Sequence, residues 1–228
     1  MVEATIEVVS ATRLDEAAFW KTSALGMSLL RLGNDKRIAH RITFENRRGL
    51  PDIYNERIAD TAGADVAVFM HDDVWIDDYY FADQLLDALD QFDVVGVAGC
   101  RKRLPVQPSW CFAGEEMLRI DAANLSGRVA HGKHPFGGIA YFGDVPAQCE
   151  LLDGVLLAAR KSLLRAHAVQ FDPIFDFHFY DLDFCRSATR GGLRLGTCRI
   201  SITHQSGGAF GSEPWIARYF QYRAKWQD

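Results

Sequence analysis

Three clusters in this 228-residue chain carry side chains able to do chemistry: His71-Asp72-Asp73, Asp181-Leu182-Asp183 and His204. The first follows the continuous apolar, β-rich run from Ala64 to Met70, so it stands at the end of a strand buried on both faces. Adjacent carboxylates repel one another unless a cation or a hydrogen-bond donor compensates them. Hard oxygen ligands at such a place suit magnesium or manganese, ions that bridge to phosphates. The plainer role of an aspartate there is helix capping, but Asp77 and Asp78 stand nearer the next helix and can serve it. Asp181 and Asp183 open a helical stretch, where the helix dipole favours ionised carboxylates. One of them can do only that, while the other accepts a proton from a bound hydroxyl. His204 ends a strand-like stretch and precedes Gln205–Ser212, a loop with three glycines that permits close approach to an anion. A ligand role for His204 stands beside that of an ordinary structural histidine.

Weaker signals lie between these clusters. Arg101-Lys102-Arg103 follows a second short apolar run and can meet a diphosphate or form a solvated turn. Trp110, Phe112, Phe136, Tyr141 and Phe142 can line an acceptor groove or fill core. Asp153-Gly154, just before Val155-Leu156-Leu157, sits at the edge of the same cleft.

The elements that must position these residues alternate between strand and helix. Ile6–Ser10 reads as a buried strand, Phe19–Leu32 as an amphipathic, partly helical stretch and Arg37–Phe44 as a second strand. Pro51 opens a helix that Gly63 stops; Asp77 or Asp78 caps another whose apolar face is Phe81, Leu85, Leu86 and Leu89. Val94–Gly99 is a further strand, residues 101–148 are irregular, and Leu151–Ala159 returns to strand pattern before a short helix near Lys161. A helix over Asp181–Arg190, strand-like residues over Leu193–Thr203 and an amphipathic tail complete the chain. Such alternation implies an α/β, Rossmann-type, mostly parallel central sheet flanked by helices.

Composition bounds the function. Hydrophobic residues at 48% and charged residues at 24% exclude a mostly disordered chain. A net charge of −5, from 25 Lys+Arg and 30 Asp+Glu, argues against a nucleic-acid partner held by a strongly basic face. Five cysteines with no C-x-x-C argue against a disulfide framework or a zinc knuckle. The first residues show no signal-peptide pattern and no apolar run reaches membrane-spanning length, so a cytoplasmic protein without a transmembrane segment is expected.

The order of these pieces, from about Thr5 to Gly211, resembles the nucleotide-sugar glycosyltransferases of the GT-A fold, specifically family 2. The residues that carry the resemblance are His71-Asp72-Asp73-Val74, Asp153-Gly154-Val155, Phe171-Asp172, Tyr180-Asp181-Leu182-Asp183 and His204. It implies one GT-A-like domain over 1–228, with about 1–100 the donor-binding half and about 101–228 the acceptor-binding and catalytic half. The family's Asp-x-Asp falls on His71-Asp72-Asp73, which makes Asp73 the ligand of a divalent manganese or magnesium ion and puts His71 and Asp72 beside the donor. The family's Glu-Asp falls on Tyr180-Asp181 and points to Asp181 as the base, with Asp183 its rival. His204 matches a metal- or diphosphate-side histidine, and Glu45 and Asn46 nucleobase contacts, while Arg101, from its place after the strand, is read as a donor contact. Asp153, Gly154 and Trp110 fall to the acceptor side. His71 in place of Asp and Tyr180 in place of Glu are departures from the family pattern.

The implied reaction is direct, inverting displacement of a nucleoside diphosphate by an acceptor hydroxyl on a saccharide or another molecule, metal-assisted, in a chain free to form a homo-oligomer. Two other classes stay open: a catalytically silent nucleotide- or carbohydrate-binding module and a metal-dependent phosphohydrolase. The latter lacks an Asp-x-Asp-x-Thr nucleophile motif, and neither GxGxxG nor GxxxxGK[ST] occurs.

Overall fold

The Ala64–Met70 run becomes the strand around which the sheet is built. The computed structural model describes residues 4–207 and 210–227. Its first half alternates strand and helix: β1 (Ile6–Ala11), α1 (Glu16–Thr22), α2 (Ala24–Leu32), β2 (Ile38–Thr43), α3 (Leu50–Ala59), β3 (Val66–Met70), β4 (Val74–Ile76), α4 (Phe81–Gln91), β5 (Val94–Gly96) and β6 (Ala98–Cys100). The middle holds the short pair β7 (Phe112–Ala113) and β8 (Leu118–Arg119), then β9 (Leu125–His131), β10 (Gly138–Gly143), β11 (Ala147–Cys149), β12 (Leu151–Leu152) and β13 (Leu156–Arg160). The chain continues through α5 (Lys161–Ala166), α6 (Tyr180–Arg190), β14 (Leu195–Thr197), β15 (Ile202–His204) and α7 (Glu213–Trp226).

The strands form two principal sheets. One has the order β11-β14-β5-β13-β3-β1-β2, the other β12-β6-β9-β15-β4 with β10 on β9. The expected mostly parallel sheet is corrected to a mixed one: β13 runs antiparallel to both β3 and β5, and β11 antiparallel to β14. Parallel pairing holds between β1 and β2, β1 and β3, and β14 and β5. Apolar runs buried on both faces reveal that a strand exists but not its direction, which is why the antiparallel insertion was hidden.

Three runs that read as single strands each change sheet part-way. β5 passes to β6 at Val97, β12 to β13 across Asp153–Val155, and β14 to β15 across Cys198–Ser201. All five residues of β3 are buried, and burying a large apolar side chain such as Phe69 contributes roughly 1.5–3 kcal/mol.

Several local expectations change. Phe19–Leu32 is two helices, because the Ser23 hydroxyl accepts from Gly26 N at 2.8 Å and starts α2 afresh. α3 ends at Ala59 with Asp60 as its cap, before Gly63. Neither Asp77 nor Asp78 caps α4, whose cap position is Tyr80 without a side-chain bond. Asp78 instead accepts from Tyr80 N, and Asp77 from Thr203 Oγ1 at 2.5 Å. The stretch read as irregular contains the β9–β10 antiparallel hairpin. No helix among the described residues is long and apolar enough to cross a membrane.

Candidate active site

Strand register brings the distant clusters together. Leu156 pairs with Met70, so the residues just before β13 lie beside those just after β3. His71 N accordingly donates to Val155 O at 3.4 Å. In the second sheet His204 pairs with Val74 on one side and His131 on the other, and Gln205 N donates to Asp73 O at 3.1 Å. Asp73 and His204, 131 positions apart in sequence, thus meet: His204 Nε2 lies 3.3 Å from Asp73 Oδ1.

Burial pushes the Asp73 carboxyl up, but the hydrogen bond and charge of His204 outweigh it and hold the group at about 2. Burial lowers the His204 imidazole, and the Asp73 carboxylate more than reverses that, leaving it raised. His71 is lowered by burial, against the opposing pull of Asp73. His71, Asp73 and His204 each offer a ligand atom, all within 4.8 Å of one another. The three donors therefore fit a divalent cation in number, chemistry and spacing.

Asp181 is set in the first turn of α6, where Gly154 N donates to its Oδ2 at 3.0 Å. A Cβ on Gly154 would lie 2.8 Å from Asp181 Cβ and 2.5 Å from Tyr180 Oη, so only glycine allows this approach. Burial, aided by the neighbouring Asp153 carboxylate, raises Asp181 to about 7, against the lowering effect of the backbone N–H groups. Phe179, immediately before α6, takes the left-handed conformation at φ 66°. Rings of Trp215, Tyr219 and Tyr222 on α7 hold it, with centroids 5.1, 5.8 and 5.3 Å away.

These groups face one cavity of about 830 Å³. Its lining includes His71, Asp72, Asp73, Trp110, Asp153, Gly154, Asp181 and His204, so eight of the residues picked from sequence share one space. A family model described as "Glycosyltransferase like family" matches residues 21–222. The chain belongs to this glycosyltransferase-like family.

No curated protein matches the sequence. Among solved structures, the chain is similar to GalNAc-T7 with UDP, GalNAc and Mn²⁺, at TM-score 0.60 and 10% identity over 97% of this chain and 48% of that one. It is also similar to the mannosyltransferase PcManGT of Pyrobaculum calidifontis with GDP-Man and Mn²⁺, at 0.50 and 15% over 99% and 65%. A third likeness is to S. aureus TarS 1–349, at 0.52 and 11% over 97% and 64%. The chain thus spans from about half to just under two thirds of these chains. At such identities the likeness establishes the fold, which is GT-A-like.

Other residues singled out in this glycosyltransferase-family chain lie outside the cavity lining. Asp183 is fully buried elsewhere, accepting from Trp226 Nε1 at 2.8 Å and paired with Lys225 at 2.7 Å. Arg101 donates to the carbonyls of Leu125 and Asp144. Asn46 is spent on a turn with Arg48, and Glu45 is exposed beside it. Asn46 N donates to Thr12 O, next to the cavity-lining Ala11. Of the glycine loop, Gly207 lines the cavity, and Gly208 and Ala209 lie outside the described residues. Sequence reasoning missed His131, Arg119 and Phe177, all in the lining. His131 ends β9 as His204 ends β15, a strand-end signal hidden by the irregular look of the middle.

Proposed function

We propose that this protein transfers a sugar from a nucleoside-diphosphate sugar to an acceptor hydroxyl, with inversion and with help from a divalent cation. The carrying observation is the convergence, in one cavity, of the His71-Asp73-His204 cluster and an Asp181 carboxyl raised to about 7. Family membership and the GT-A-like fold support the same reading, as do the Mn²⁺ and nucleotide in the GalNAc-T7 and PcManGT structures. A raised carboxyl in the same cavity as the cation cluster favours turnover over a silent binding module.

His71, Asp73 and His204 would hold the cation. When bound, it supplies positive charge against the negative charge that develops on the leaving diphosphate. Asp181 takes the proton of the acceptor hydroxyl as that oxygen attacks the anomeric carbon. The Gly154 N–H fixes Asp181 Oδ2, so the carboxylate keeps its aim after it has lost its own proton. Asp72, on the same strand end, faces the donor, and Arg119 adds a fixed positive charge to the lining. Trp110, in edge contact with Phe142 at 4.8 Å, offers a flat apolar wall to an acceptor sugar beside Asp153 and Gly154.

We read the chain as one domain in which about 1–100 serve the donor and about 101–228 the acceptor and the chemistry. The test is release of nucleoside diphosphate from a panel of nucleotide sugars, with and without manganese and simple saccharide acceptors. Cation-dependent release by the wild type, lost in Asp181→Asn, is expected. Tight nucleotide binding with no turnover on any donor contradicts the proposal.

A further inference from the structure

The two departures from the family pattern, His71 and Tyr180, are each other's hydrogen-bond partner: His71 Nε2 lies 2.9 Å from Tyr180 Oη, across 109 positions of sequence. Tyr180 Oη also donates to Gly154 O at 2.8 Å. A phenol has one proton to give, and because the carbonyl can only accept, both short contacts are satisfied only when that proton goes to Gly154 O. Toward His71 the phenol oxygen can therefore only accept, which requires the proton of the neutral imidazole to sit on Nε2. That leaves Nδ1 as the ring's lone-pair donor. Tyr180 is 3% exposed and Phe177 stacks on His71 at 5.9 Å between centroids, so both phenol and ring are held in place.

We propose that Tyr180 is a positioning residue that fixes His71 as the Nε2–H tautomer with Nδ1 free for the cation. This rests on the reading of His71, Asp73 and His204 as the cation site. Tyr180 does for His71 what a carboxylate or carbonyl does for many metal-bound histidines: it accepts from the far nitrogen and sets the near one.

Long-range ¹H–¹⁵N correlation on metal-free, histidine-labelled protein reads the tautomer directly, with His71 assigned by the signal missing from His71→Gln. A protonated Nε2 is expected in the wild type, and a mixture of tautomers in Tyr180→Phe. An Nδ1-protonated ring in the wild type overturns the proposal without reference to any metal. Calorimetric titration with Mn²⁺ alone reads the consequence for the cation site. Tyr180→Phe should weaken Mn²⁺ by roughly tenfold to a hundredfold. An unchanged tautomer and Mn²⁺ affinity in Tyr180→Phe overturns the inference and leaves the cation site standing. No Mn²⁺ binding by the wild type overturns both.

Discussion

At the scale of single residues, Asp181 has the most to report. Its carboxyl stands at about 7, with burial and then the Asp153 charge as the raising causes. A base must be ionised, so kcat/KM is expected to rise with pH through about 7, the free-enzyme value. Asp153→Asn removes a raising charge, and the rising limb should move to lower pH. Stability runs the other way. The folded state holds the Asp181 proton up to about 7 and the unfolded chain releases it near 3.8, so this group's contribution declines as pH climbs through that window. Melting temperature against pH should show that decline in the wild type and less of it in Asp181→Asn. Gly154→Ala forces apart groups 2.5–2.8 Å from the new methyl, Tyr180 and Asp181 among them. It should cost at least tenfold in kcat together with about 1–3 kcal/mol of stability, from steady-state kinetics and urea denaturation. His71-Asp72-Asp73 was legible because a continuous apolar run announces its own strand end. The Gly154–Asp181 and His71–Tyr180 bonds were not, since nothing local encodes a partner 27 or 109 positions away.

At the scale of elements, α7 has a role that its modest amphipathic pattern did not suggest. Its aromatic rings clamp Phe179 in a conformation that costs a non-glycine residue about 1–3 kcal/mol unless the surroundings hold it. Phe179 sets where α6 begins, and so where Asp181 points. Tyr222→Ala should therefore lower kcat by more than its loss of global stability explains, as seen by comparing kinetics well below the melting midpoint. β1 offers a contrasting residue, Glu7, buried at 1% exposure and met by Arg57 at 2.9 Å and Lys161 at 3.7 Å. Glu7→Ala takes the carboxylate from the buried Lys161 ammonium, while Arg57 keeps Asp60, and should cost about 3–5 kcal/mol in denaturant titration, without changing the kinetics of the surviving folded protein. Element existence was legible wherever apolar runs were long. The sheet-switching runs were not, because Val94–Cys100 stays apolar through the switch at Val97 and shows no polar break. The β9–β10 hairpin escaped because no residue of β10 is buried and the strand mixes glycine with aromatics.

At the scale of the whole molecule, two sheets sharing three chain crossings explain how a site is assembled from positions 71 to 204. The antiparallel strand β13 brings Asp153 and Gly154 to the end of β3, and the second sheet brings His204 to Asp73. The overall α/β class was readable from alternation, but the mixed pairing that makes the cavity depends on strand direction, which apolar pattern does not carry. The central claim is that the cavity takes a nucleoside diphosphate through a cation held by Asp73 and its two histidines, while Asp181 acts only in the chemistry. Thermal-shift titration of wild type, Asp73→Ala and Asp181→Asn with nucleoside diphosphates, with and without manganese, tests it most directly. Manganese-dependent stabilisation by nucleotide is expected for the wild type and Asp181→Asn and not for Asp73→Ala; an equal shift in all three proteins, or one indifferent to manganese, would contradict it.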